Sequence, residues 1–233
     1  GAALALAVLW LAVPERALAL PAVLASLGAL AAQRATASRP AAAGAWLVAA
    51  IAALAWARPP WRMHVTPYKG LPQVEAYPDA RRVAERTSPV GWVVAVEAPA
   101  FRYAPGLSLA FRGEFPRQTA LFVDGQIADA AAARDSESSA VRMLDWLPSA
   151  LPYALGDRER VLILGAGGGS EVRNALAHGA RTVTAVELDP NLVRLARTLA
   201  SPPPRSARTE WVVGDARSYV ARSRERFDLV TLG

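Results

Sequence analysis

Hydrophobic and polar positions divide the chain into two unlike parts. Up to residue 57 nearly every position is Ala, Leu, Val or Trp, interrupted by Pro14-Glu15-Arg16 and by a polar stretch at 33–40. The apolar runs at 2–13, 17–32 and 41–57 predict N-terminal transmembrane helices, the first of them short. Trp46 and Trp56 lie near the ends of the third run, which Arg58, Trp61 and Arg62 follow; Trp beside Arg at the boundary is expected of an interfacial anchor. A buried helical hairpin is the alternative; a cleaved signal peptide fits worse, because the runs recur and no basic start precedes them. The arginine distribution favours a multi-pass membrane protein with its globular part cytoplasmic.

Residues 58–73 read as a linker rich in Pro and aromatics. Residues 74–134 read as a small β-strand domain with runs at 82–87, 92–97, 107–111 and 120–123. Ser88-Pro89, Ala104-Pro105-Gly106 and Phe115-Pro116 separate them, and Asp124-Gly125 follows the last. From 135 onward the pattern changes. Residues 138–147 have helical spacing, with Val141, Met143 and Leu144 available for a core face, and Pro148 and Pro152 end the helix. Residues 161–164 are continuously apolar, as in a strand buried on both faces. A helix follows at 170–178, stopped by Gly179, then a strand at 182–186 ending in Glu187. Helices at 190–200 and 215–223 alternate with strands at 210–213 and 227–232. The predicted fold class is α/β: a Rossmann-like parallel sheet preceded by the β-domain and the N-terminal helices.

The candidate chemistry lies in that last part. Gly165, Gly167, Gly168 and Gly169 fall within five positions between a strand and a helix. Glycines let the backbone approach a ligand, and the helix start presents unpaired N–H groups. An acid at the tip of the next strand, Glu187, can accept both ribose hydroxyls of a nucleoside. Packing glycines in an unliganded unit are the plain alternative. Glu187 or Asp189 could instead cap the helix after Pro190, and Asp215 could cap the helix it precedes.

Composition narrows the chemistry further. Basic residues outnumber acidic ones 26 to 20, but the arginines are scattered without the basic–aromatic alternation of a nucleic-acid surface. The chain has no cysteine, which excludes disulfides, thiol catalysis and Cys-ligated metals. His64 and His178 stand apart without companion ligands, so no metal is expected.

The order VLILGAGGG, VELDP, VVGDA, FDLVTLG, with LFVDGQ upstream, resembles the Rossmann-like, methyltransferase-type S-adenosylmethionine-dependent transferases. Within that class it resembles the spermidine synthase (polyamine aminopropyltransferase) family over residues 68–233, here in a membrane-anchored form. The resemblance implies S-adenosylmethionine or decarboxylated S-adenosylmethionine as substrate. Gly165, Gly167, Gly168 and Gly169 would form the donor turn, Glu187 would bind ribose, and Asp215 and Ala216 would lie on the adenine side. It also implies further strands beyond 227–232, so the sheet is expected to be truncated at its C-terminal end. Implied partners are a nucleoside donor, a polyamine acceptor and membrane lipid, with no nucleic acid; a homodimer is left open.

The sequence departs from the family pattern at three places. Gly168 stands where the family carries an acid that helps bind the donor's amino-group end. Gly233 stands where it carries the catalytic Asp, so the catalytic residue is unassigned. Ala140-Val141-Arg142 replaces a Tyr-His-Glu-like cluster, leaving Asp135 and Glu137 as the nearest carboxylates for a polyamine, unless they merely form a solvated helix start. Three functions follow: aminopropyl transfer, methyl transfer on the same fold, or a non-catalytic nucleoside- or polyamine-binding module.

Overall fold

The structure, a computed structural model, describes residues 2–12, 14–33, 39–58, 64–199 and 207–233. Two units are separable: Gly1–Val65 with Thr87–Trp92, and Thr66–Arg86 with Val93–Gly233.

In the first unit, α1 (Ala2–Leu11), α2 (Pro14–Gln33) and α3 (Arg39–Ala57) follow the three apolar runs. α2 lies along α3, with Ser26 and Ala52 buried, and the Ser26 hydroxyl donates to the Ala22 carbonyl at 2.7 Å. No helix among the described residues is long and apolar enough to cross a membrane. The ten residues of α1 span about 15 Å, half of a bilayer's hydrocarbon core. α2 opens on Pro14-Glu15-Arg16 and contains Pro21; α3 opens on Arg39-Pro40. Both owe their apolar character largely to alanine, whose single methyl group offers little surface to bury. The expected transmembrane helices, and with them the membrane-anchored form and the multi-pass localisation, are therefore corrected. The placement of a globular part in the cytoplasm loses its basis too. Arg34, Trp61 and Arg62 lie outside the described residues, as does the loop at Pro202–Pro204.

In the second unit α4 (Gly70–Glu75) crosses the end of the expected linker. An antiparallel sheet follows, β1 (Arg81–Thr87), β2 (Trp92–Glu97), β3 (Gln118–Val123) and β4 (Gln126–Ala132), ordered β1-β2-β3-β4. The strand expected at 107–111 is absent. Leu109 is fully solvent-facing there, Phe111 N–H turns back to the Ser108 carbonyl, and Ser108 N–H donates to Trp146. β4 is the strand the sequence pattern missed, because four of its seven residues are alanine, a weak strand former. Asp124 and Gly125 both take positive φ, 50° and 79°, the signature of a two-residue type I′ hairpin. The β3–β4 register then shifts: Phe122 faces Ile127 while Leu121 faces Asp129, leaving Ala128 as a bulge. Leu121 and Asp129 thus share one face.

α5 (Glu137–Leu144) and α6 (Leu151–Ala154) connect to the parallel sheet. That sheet comprises β5 (Arg160–Leu164), β6 (Thr182–Glu187), β7 (Arg208–Val213) and β8 (Leu229–Leu232), with α7 (Ser170–Ala177), α8 (Pro190–Leu199) and α9 (Ala216–Arg222) as crossovers. All pairings are parallel and the order is β7-β6-β5-β8. The chain winds outward from β5 through β6 to β7, then returns to place β8 on the other side of β5. This reversal is the topological switch point of a Rossmann-like fold, where ligands bind beyond the carboxyl ends of the strands. Val161, Ile163, Val183 and Ala185 are wholly buried against Val172 and Ala175 of α7. Burial on both faces explains the unbroken apolar run of β5. A second cluster joins Val93, Ala95, Leu121 and Ala131 to Leu192 of α8, fastening the antiparallel sheet over the parallel one.

Replacing Ile163, which has no exposed surface, by Ala is expected to cost about 2–5 kcal/mol. A urea-unfolding midpoint equal to that of the unaltered chain would show that β5 is not central to the core.

Candidate nucleoside site at the carboxyl edge of the parallel sheet

The glycine turn is tied to β6 by its backbone. Gly165 and Ala166 N–H both donate to the Val186 carbonyl, at 2.9 and 3.0 Å. Gly165, Gly167 and Gly169 all have positive φ (77°, 52° and 90°), a region where side chains are strained. Gly168 is glycine for a different reason: a Cβ there would lie 2.3 Å from Leu121 Cδ1 and 3.1 Å from both Cβ and Oδ2 of Asp129. The covering hairpin fills the space.

Glu187, 8% exposed, closes the turn from the β6 side. Its Oε2 accepts from Gly167 N–H at 2.9 Å and its Oε1 from Asp189 N–H at 2.9 Å. Capping of α8 falls to Asp189, whose Oδ1 accepts from Asn191 N–H at 2.8 Å. Glu187 is left facing the turn. Gly214 N–H donates to the Glu187 carbonyl at 2.9 Å, bringing the end of β7 beside it. Asp215 follows, exposed, as the cap of α9, accepting from Ser218 N–H at 2.8 Å; Ala216 is the first residue of that helix. The hydrogen bonds from Ser218, helped by Arg217 and Arg222, hold the Asp215 carboxyl below the usual carboxylate range.

The turn also borders a cavity of about 350 Å³, lined in part by Gly165, Ala166, Gly167, Asp129, Glu171 and Tyr103. Gln118 grips the Tyr103 backbone from both directions, accepting from its N–H at 2.8 Å and donating to its carbonyl at 2.7 Å. Burial pushes the Tyr103 phenol up, and the Asp129 charge adds to it. Burial likewise pushes the Glu171 carboxyl up; Asn174 and Ser149 hydrogen bonds oppose this, and Asp129 reinforces it.

Asp135 and Glu137 are not among the cavity-lining residues. Asp135 pairs with Arg117 at the exposed surface, and Glu137 with Arg173 at 3.3 Å. The carboxylates that do line it, Asp129 and Glu171, escaped the sequence reading. The Asp-Gly pair between β-rich runs was the available signal for Asp129, since a hairpin there requires a strand after residue 125. Gly233 N–H donates to the Leu164 carbonyl at 3.0 Å, and a Cβ on it would lie 2.5 Å from the Gly165 carbonyl oxygen. A side chain at that position requires the backbone to move.

Residues 161–233 match a family model described as "Methyltransferase domain". The chain is 34% identical over 83 residues to a polyamine aminopropyltransferase of Korarchaeum cryptofilum, covering 34% of this chain and 26% of that protein. It is 35% identical over 135 residues to polyamine aminopropyltransferase 1 of Streptomyces coelicolor, covering 54% of this chain and 23% of that protein. The solved spermidine synthase of Thermotoga maritima is similar at a TM-score of 0.45 and 16% identity, over 65% of this chain and 47% of that one, an overlap too loose to carry residue roles. The matched part spans about a quarter of the length of the curated relatives. These matches support the class of Rossmann-like, S-adenosylmethionine-dependent transferases for the parallel-sheet part of the chain.

Two outcomes test this geometry. Gly168→Ala is expected to destabilise the chain by about 1–3 kcal/mol through overpacking against the buried Leu121, read from the unfolding midpoint; measured in a Leu121→Ala background, the cost of the same change should be smaller. Glu171 has a folded pKa above its ordinary value of 4.5, so the folded state holds its proton more tightly than the unfolded state does. Its contribution is complete below pH 4.5 and is lost as pH rises through the folded value. Glu171→Gln should flatten that decline in a pH series of unfolding midpoints. An identical slope in both proteins would refute it.

Proposed function

We propose that this chain binds the adenosyl group of decarboxylated S-adenosylmethionine at the switch point and transfers the aminopropyl group of that donor to an amine. The observation that carries the reading is the buried Glu187 carboxylate at the tip of β6, joined to Gly167 of the turn. Each oxygen accepts one backbone N–H and retains acceptor capacity, which suits it to the two ribose hydroxyls. Asp215 and Ala216, one residue beyond the Gly214 bond to Glu187, would lie on the adenine side.

In the proposed transfer, a neutral acceptor amine attacks the carbon next to the sulfonium. The C–N bond forms as the C–S bond breaks, and methylthioadenosine leaves with the sulfur electron pair. The new ammonium must lose a proton, and Glu171, a partly buried acid in the cavity wall, is suited to take it. The curated relatives named as polyamine aminopropyltransferases support this choice. Methyl transfer is the second reading, favoured by the methyltransferase description of 161–233. Product analysis separates the two: methylthioadenosine from decarboxylated donor plus a polyamine, or S-adenosylhomocysteine from the intact donor.

Glu187→Ala is expected to weaken methylthioadenosine binding by about 1.5–3 kcal/mol, roughly tenfold to a hundredfold, in calorimetric titration of protein with an unchanged circular-dichroism spectrum. Unaltered affinity would remove Glu187 from the site.

A further inference from the structure

Asp129 is 7% exposed, yet its hydrogen-bond partners are two backbone N–H groups, Ala130 to Oδ1 at 2.7 Å and Ser170 to Oδ2 at 3.1 Å. Among the described residues no ion pair includes it. A buried carboxylate without a counter-ion is unfavourable unless something supplies the missing charge. The guanidinium in the cavity wall, Arg173, is already engaged with Glu137 at 3.3 Å and the Ala132 carbonyl at 3.2 Å. Glu171 adds a second acid to the same wall. The cavity therefore presents an excess of negative groups, and Glu187 is not among the residues that line it.

Gly167 borders both Glu187 and the cavity. Its N–H is held by Glu187, while the Cβ position above it is 3.4 Å from Asp129 Oδ2. A nucleoside anchored at Glu187 whose sulfonium arm passed Gly167 into the cavity would bring that arm beside Asp129. We infer that Asp129 is a specificity-determining residue that receives a primary ammonium on the donor's side arm and disfavours an arm ending in a carboxylate. This rests on the nucleoside-site reading given above. A carboxylate beside Asp129 and Glu171 would meet like charge, whereas an ammonium would complete an ion pair.

The test is calorimetric titration of the 233-residue chain with three probes: methylthioadenosine, decarboxylated S-adenosylmethionine and intact S-adenosylmethionine. The unaltered chain should bind methylthioadenosine and prefer the decarboxylated donor to the intact one by about tenfold or more. Asp129→Asn keeps an oxygen for the Ser170 N–H; it should abolish that preference and leave methylthioadenosine affinity within about twofold. If methylthioadenosine binds but the unaltered chain prefers the intact donor, the inference is overturned whatever the variant does. Retention of the preference in Asp129→Asn overturns it equally. Binding of none of the three probes overturns the nucleoside-site reading itself, and the inference with it.

Discussion

The hydrogen bond from Gly167 N–H to the Glu187 carboxylate fixes the geometry on which the candidate site depends. It joins the loop after one strand to the tip of the next across the parallel sheet. The same carboxylate also receives the Asp189 N–H, so the turn, the end of β6 and the start of α8 share a single charged acceptor. Charge-assisted bonds in a buried setting are stronger than neutral ones, and this one holds a loop that has few side chains of its own to pack. The glycines allow the backbone path; the glutamate selects it.

Around that point the chain builds a layered arrangement. The two central strands of the parallel sheet, β5 and β6, bury valine, isoleucine and alanine, and the winding of the sheet reverses between β5 and β8. The antiparallel sheet contributes Leu121 and Asp129 as a cover, through Leu192 of α8 on one side and the glycine turn on the other. One apolar and one charged side chain thus reach the same place for separate reasons. Leucine excludes water from the turn, whereas aspartate gives the cavity its charge.

The parallel strands were legible in the sequence to within about two residues at their ends, because such strands write β-rich, largely apolar runs and the glycines mark the turn after the first. Glu187 was legible for the same reason, being the first polar residue after such a run. β4 was not, since alanine carries no strand signal and only its pairing with β3 makes a strand of it. The bulge at Ala128 was invisible too, and with it the identity of the residue facing the cavity. The N-terminal helices were misread for a related reason: alanine counts as apolar in a pattern but contributes little surface for lipid. Asp215 was legible as a polar residue at a strand end, and the structure shows it capping α9.

The space above Gly168 has a consequence for how this site can change. Leu121 and Asp129 already fill the volume that a side chain in the turn would need. A carboxylate can therefore be delivered to that spot from the loop or from the strand, but both cannot be housed together. Substitutions at 168 and at 121 or 129 are bound to one another, and any lineage or library that moves the acid from one segment to the other must empty the first position before, or as, it fills the second.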